Sequence, residues 1–197
     1  FTKTEADARK KWILDNITSP KTLDYTKNNV RVKDLINKEL VLFSIADNVR
    51  SIPSLVDGLK PSQRKIIYAC IKRNLYSEIK VSQLAGYVSE VSSYHHGEAS
   101  LQETIIGLSQ TFVGSNNINL LEPVGQFGTR LLGGKDSSSP RYIFTHLSKN
   151  FKNVFNPADF NILNYLDDDG FSIEPSFYVP TLPLILVNGA CGIGTGF

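Results

Sequence analysis

The 197-residue chain contains no methionine, one tryptophan, three histidines and two cysteines. Cys70 and Cys191 lie far apart and form no CxxC pair, so the expectation is a reducing compartment and two buried thiols. No run of about 18 uncharged apolar residues occurs, which excludes a membrane-spanning helix. The opening Phe1-Thr2-Lys3-Thr4-Glu5 has no basic stretch leading into an apolar one, so it does not read as a signal peptide. A missing initiator methionine and abrupt ends are expected of a piece cut from a longer polypeptide. Internal repeats and low-complexity segments are also lacking. What remains has the balance of a globular protein, 41% hydrophobic and 20% charged.

A large excess of one charge is lacking too, since the formal net charge is only +2. The distribution says more. Lys60 to Arg73 holds five basic residues (Lys60, Arg64, Lys65, Lys72, Arg73) and no acid. Asp159 to Glu174 holds five acids (Asp159, Asp167, Asp168, Asp169, Glu174) and no base. Such polarity suits a face turned towards phosphates, or equally two solvated faces of opposite sign.

Along the chain, Ala6 to Trp12 reads as a polar helix and Thr18 to Asn29 as a linker. A helix over Val32–Phe43 places Leu35, Ile36, Leu40 and Phe43 on one face. Arg50-Ser51-Ile52-Pro53-Ser54 breaks that pattern, and Asp57-Gly58 marks a turn. Pro61 then opens a helix running to about Arg73, with Ile66, Ile67, Cys70 and Ile71 as its apolar stripe. A third helix is expected over Lys80–Ser92 and, after a short break at Tyr94-His95-His96-Gly97, a fourth to about Phe112. Two such helices around Tyr94-His95-His96-Gly97 resemble a helix-turn-helix. A strand over Ile118–Leu121 and turns at Gly125, Gly128, Gly133 and Gly134 follow, and Arg141–Leu147 is a strand or a helix start. Helix pair, strands and glycine turns in that order suggest an α+β, winged-helix domain.

Five strings occur together and in one order: Ser51–Lys65 (SIPSLVDGLKPSQRK), Ser93–Glu98 (SYHHGE), Gly125–Arg130 (GQFGTR), Gly133–Phe144 (GGKDSSSPRYIF) and Gly192–Gly196 (GIGTG). With them the chain closely resembles the winged-helix DNA-gate region of eukaryotic-type type IIA DNA topoisomerases, which are related to the gyrase A subunit. The resemblance covers roughly residues 32–197. Ser62 stands where many relatives have glycine and His146 where an apolar residue is usual. By this resemblance residues 1–31 lead out of an absent metal-binding toprim domain, 32–176 form the winged-helix DNA-gate domain, and 177–197 begin the following tower domain.

Reversible DNA breakage conserves bond energy through a covalent protein–phosphate intermediate. A phenol with an ordinary pKa near 10 needs cationic help to attack at neutral pH. The resemblance implies Tyr142 as that nucleophile, with Arg141 beside it to stabilise the phosphorane. Read without it, Tyr142 is one of eight tyrosines and a plausible core aromatic. His95 and His96 stand at an expected helix N-terminus, where free N–H groups attract phosphate; His96 is implied to act at the reacting phosphate and His95 to support it. Arg50, Lys60, Arg64 and Lys135 are implied to contact the DNA backbone, with Asp57 orienting one of the cations; Gln126, Thr129 and Arg130 either join them or serve the turn. Ile193 is implied to wedge between base pairs.

No metal site is expected in this chain, and Asp167-Asp168-Asp169 read as solvated residues on a turn. The resemblance implies Mg²⁺ and ATP bound by domains outside it, double-stranded DNA as substrate, a homodimer and a nuclear location. The rival reading is a non-catalytic winged-helix DNA-binding module.

Overall fold

The computed structural model describes residues 2–26 and 28–194. Contacts divide the chain into two compact units: one reaches to Pro53 and takes in the segment from Cys191 onward, the other is Ser54–Ala190.

In the first unit α1 (Ala6–Ile17) packs on α3 (Val41–Ser51), which α2 (Val32–Leu35) and a π-helical turn at Ile36–Leu40 lead into. Ile13 and Val41 are buried there, and the Trp12 indole donates to Asn37 Oδ1 at 3.0 Å within the wide turn. The helix expected over Val32–Phe43 runs on to Ser51. It stops where Ile52 turns extended (φ −95°, ψ 123°), as a residue before proline must.

The second unit is built on α4 (Pro61–Lys72), α5 (Val81–Ser92) and α6 (Glu98–Ser109). A small antiparallel sheet, β1 (Ile79–Lys80), β2 (Leu121–Val124) and β3 (Phe144–Leu147), has the order β1-β3-β2. Its register pairs Ile79 with Thr145 and Val124 with Phe144. After a short α7 (Phe151–Val154), β4 (Tyr165–Asp168) and β5 (Phe171–Pro175) form a hairpin laid on α4, and α8 (Leu184–Val187) ends the unit. Leu84, Val88, Leu101, Ile105, Leu121 and Ile143 interleave in the core. Phe151, Phe155 and Tyr178 extend it as a stack with ring centroids 5.2 and 5.4 Å apart.

Three boundaries moved for identifiable reasons. α6 ends at Ser109 because Gln110 turns extended and its amide donates to Phe127 O at 2.9 Å. The strand expected at Ile118–Leu121 begins only at Leu121, since Ile118 N–H is taken by Asn188 Oδ1 at 2.8 Å. Asp167 and Asp168 lie in β4, not in a loop; Asp169 and Gly170, both at positive φ, make the turn to β5.

Two cations of the basic run, Arg64 and Lys65, are paired within the protein. The Arg64 side chain is 8% exposed and its Nε lies 3.0 Å from Asp57 Oδ2, while Nη2 donates to Leu59 O at 2.8 Å. These bonds take two of the five guanidinium N–H donors. Lys65 is paired with the buried Glu174 at 2.9 Å and also donates to the Ser92 carbonyl that ends α5. Cys70 is buried, but Cys191 is exposed, against the expectation of two buried thiols. No helix among the described residues is long and apolar enough to cross a membrane.

Removing one partner of a buried pair strands the other's charge, so Arg64→Ala should cost about 3–5 kcal/mol. Urea unfolding would register it, and a loss below about 1 kcal/mol would show that the pair is dispensable. Burial pushes the Cys70 thiol up to about 12 from 9.0. A raised folded-state pKa means stability that is complete below the unfolded value and falls as pH rises towards the folded one. Wild type should therefore lose ground to Cys70→Val between about pH 9 and 12 in midpoint measurements.

Candidate functional site

Tyr142 sits on a turn fixed from both sides. Its own N–H closes the turn on Ser139 O at 2.9 Å. Upstream and downstream, Pro140 O accepts from Ser82 N–H and Ile143 O accepts from Val81 N–H, each at 3.1 Å. Those donors belong to the first turn of α5, which has no side-chain cap, so the helix start and the turn satisfy each other. Ile143 is buried and β3 continues directly into the sheet. Between these anchors the Tyr142 side chain is 77% exposed, and its hydroxyl makes no hydrogen bond among the described residues. The core-aromatic alternative does not describe this residue.

Arg141, also exposed, lines a cleft of about 470 Å³ with Ser139, Pro140 and Ser82 on one side. Glu98, Ala99 and Gln102, from the first turns of α6, line the other. The start of α6 has Gly97 at its cap and no side-chain capping bond, which leaves its N–H groups free for an anion. His95 and His96 precede it and both are exposed. His95 Nε2 faces Asp168 Oδ2 at 3.6 Å, and the His96 ring stands edge-on to Tyr94 at 5.4 Å. The structure thus brings Arg141 and the α6 N-terminus to one cleft, next to Tyr142 in sequence.

The glycine-rich loop is tied across its base. Thr129 N–H and Thr129 Oγ1 each donate to Asp136 at 2.8 Å, and Ser138 N–H donates to Gln126 O at 2.9 Å. At Gly128, φ +97°, a Cβ would stand 2.5 Å from Gly134 Cα, so the two strands of the loop close only on glycine. Thr129 therefore serves the turn, whereas Arg130 and Lys135 are exposed at its outer end. Gln110 and Asp136 hold this loop without having been singled out in the sequence. Asp136 had a local signal, a carboxylate seven residues after a threonine within a glycine-punctuated turn; Gln110 had none.

Lys60 is half-buried at the head of α4, where its N–H donates to Gln63 Oε1 at 2.8 Å. In the first unit Arg50 is exposed on the last turn of α3, paired with Asp47 at 3.0 Å. Gly192 and Gly194 lie so close to Ser51, Ile52, Pro53 and Asn48 that a Cβ at either would overlap them. This places Ile193, 86% exposed, beside the end of α3 that carries Arg50. Thr195 and Gly196 of the same string lie outside the described residues. No group of three or more His, Cys, Asp or Glu side chains able to hold a metal stands together among the described residues. Asp167 is engaged by Gly170 N–H and Asp168 by His95. This donor set does not fit the magnesium that the resemblance implies, and no step proposed for this chain passes through it.

Residues 50–197 match the family model that describes the A subunits of DNA gyrase and topoisomerase IV. The chain belongs to this family. Residues 1–48 match a second model, the C-terminal associated domain of TOPRIM. The chain is 57% identical over its whole length to DNA topoisomerase 2 of Candida albicans and 56% to that of Saccharomyces cerevisiae. It is 55% identical, over 208 aligned residues, to human DNA topoisomerase 2-alpha. It spans only 13–14% of the length of these relatives. Among solved structures, the DNA-binding, cleavage and re-ligation domain of Plasmodium falciparum topoisomerase II superposes with a TM-score of 0.86 at 53% identity. That match covers all of this chain and 27% of the other.

Two hydrogen bonds from Thr129, backbone first and hydroxyl second, hold Asp136 below its ordinary value of 3.8. A depressed pKa gives stabilisation present above the unfolded value and lost as pH falls through the folded one. The advantage of wild type over Asp136→Asn in denaturation midpoint should accordingly shrink as pH drops below about 3.8. A pH-independent difference would show that the carboxylate charge plays no part in closing the loop.

Proposed function

We propose that this chain is the DNA-cleaving part of a type II topoisomerase, with Tyr142 as nucleophile. The observation that carries the reading is an unpaired, exposed phenol on a turn anchored at both ends, beside an exposed arginine on the rim of a cleft. A reactive group must be free while its backbone is held, because misplacement by even an ångström lowers the rate steeply. Tyr142 Oη attacks a backbone phosphorus, the bond to the 3′ oxygen breaks, and that oxygen leaves as a hydroxyl. The product is a 5′-phosphotyrosyl ester, and reversal reseals the strand. Arg141 and His96 stabilise the charge developing on the phosphoryl oxygens, with His95 in support.

In this reading α5 and α6 with the β1-β3-β2 sheet make a winged helix, and Arg50, Lys60 and Lys135 contact phosphates. Arg64, in α4 and oriented by Asp57, joins them in contacting phosphate. Ile193 wedges a base step and bends the duplex. Each protomer cuts one strand, so a homodimer breaks both and passes a second duplex through. Mg²⁺ and ATP are bound by toprim and ATPase domains of the longer protein, which works in the nucleus.

Tyr142→Phe deletes one oxygen and leaves the ring. The full-length variant should fold, dimerise, bind DNA and hydrolyse ATP, yet yield no covalent protein–DNA adduct after detergent quenching. Mass spectrometry of the wild-type adduct should find the phosphotyrosine at Tyr142. DNA relaxation by the phenylalanine variant, or an adduct on another tyrosine, would return the domain to a binding module or move the nucleophile elsewhere.

A further inference from the structure

Beneath the loop that carries Ile193 lies a polar side chain that makes no hydrogen bond among the described residues. Among the described residues, both amide atoms of Asn48 on α3, Oδ1 and Nδ2, are buried and without a hydrogen-bond partner. One turn earlier on the same face, the fully buried Ser44 Oγ is likewise unpaired among the described residues. A primary amide can donate twice and accept twice, and a protein interior rarely leaves all of this unused. Where it does, the group is a store of unfavourable energy kept for a purpose.

The surroundings indicate the purpose. The nearest heavy atom to a Cβ built on Gly194 is Asn48 Oδ1, followed by Ile52 Cδ1 at 2.9 Å. Gly192, two residues earlier, lies against Ser51 O and Pro53 Cδ in the same way. The backbone on both sides of Ile193 therefore rests on the end of α3, and its downstream half rests on the Asn48 amide itself. Glycine at these positions lets the main chain, with its own N–H and C=O groups, come within reach of that amide.

We propose that Asn48 is a positioning residue for Ile193: its amide hydrogen-bonds the backbone of the glycine loop in the arrangement that drives Ile193 into a base step. The proposal rests on the wedge reading of Ile193. Satisfying a buried amide at that moment offsets part of the unstacking cost that an aliphatic wedge imposes on the duplex. The same side chain is then a burden to the protein alone and an aid to the bent complex.

This opposition of signs supplies the test. In the full-length protein, Asn48→Leu keeps the branching and heavy-atom count and removes the unpaired polar group, so the melting temperature without DNA should hold or rise. The population of bent duplex, read by fluorescence transfer between dyes at the two ends, should fall roughly tenfold, the worth of about one hydrogen bond. An ordinary structural asparagine would give the reverse, a lower melting temperature with the bend retained, and that result overturns the proposal. Should the leucine variant fold poorly, Gly194→Ala lifts the loop off an intact Asn48 and should lower the bend in the same way. Combined with Asn48→Ala it should do no more than the larger single effect, whereas additive losses would deny the contact. Ile193→Ala, run in parallel, separates the wedge from its support. A bend unaffected by Ile193→Ala removes the wedge, while a bend lost in that variant but kept in Asn48→Leu leaves the wedge and removes Asn48.

Discussion

The Asp57 carboxylate is fully buried and accepts hydrogen bonds from three separate places. Leu59 N–H reaches Oδ1 at 2.9 Å, while Tyr178 N–H and Arg64 Nε reach Oδ2 at 3.0 Å each. One oxygen pair thus joins the turn before α4, the helix itself, and an arm 121 residues further on. A carboxylate in a dry interior survives only with such a complete set of donors. Because α4 carries α5, α6 and the β4–β5 hairpin on its sides, the placement of Asp57 fixes the frame on which the rest of the unit is assembled.

From that frame the reactive turn is held by economy of hydrogen bonding. The open start of α5 and the bare carbonyls of residues 140 and 143 have complementary needs, and each meets the other's. The consequence for chemistry is that Arg141 and Tyr142 project from a backbone whose conformation is already decided. Ile193 is displayed by a different device with the same result, two glycines pressed on the end of α3. In both places the side chain is free because the main chain is not.

Much of the candidate site was legible because it is written in contiguous strings. Tyr142 and Arg141 sit in one such string, and the glycine loop lies in two. Pro61 announced α4, and helical spacing picked out Ile66, Ile67 and Cys70 as its buried stripe. The burial of Arg64 was not legible, for a physical reason. A lone arginine on a helix surface looks solvated until its partners are known, and one link in its burial, Tyr178, is far away in sequence. Glu174, in an acidic run open to a solvated reading, lies in a strand folded back on Lys65. The hairpin itself had a signal, the Asp169-Gly170 pair that favours a tight turn, but three neighbouring aspartates masked it as loop. Exposure of Cys191 left no trace in its neighbours.

These pairings also change what the charge pattern means. Of the five cations between Lys60 and Arg73, Arg64 and Lys65 are neutralised inside the protein by Asp57 and Glu174. Lys72 lies over the Tyr68 ring at 5.4 Å and Arg73 over Tyr87 at 5.0 Å, so both are partly engaged at the far end of α4. The run is therefore not a stripe of five free phosphate contacts, and only Lys60 stands at the head of the helix. In the proposed complex, backbone affinity comes from cations scattered over different elements: Arg50 on α3, Lys60 before α4, Arg64 within it and Lys135 on the glycine loop. Each such contact releases counterions independently, so a dispersed set gives as steep a salt dependence as a contiguous one.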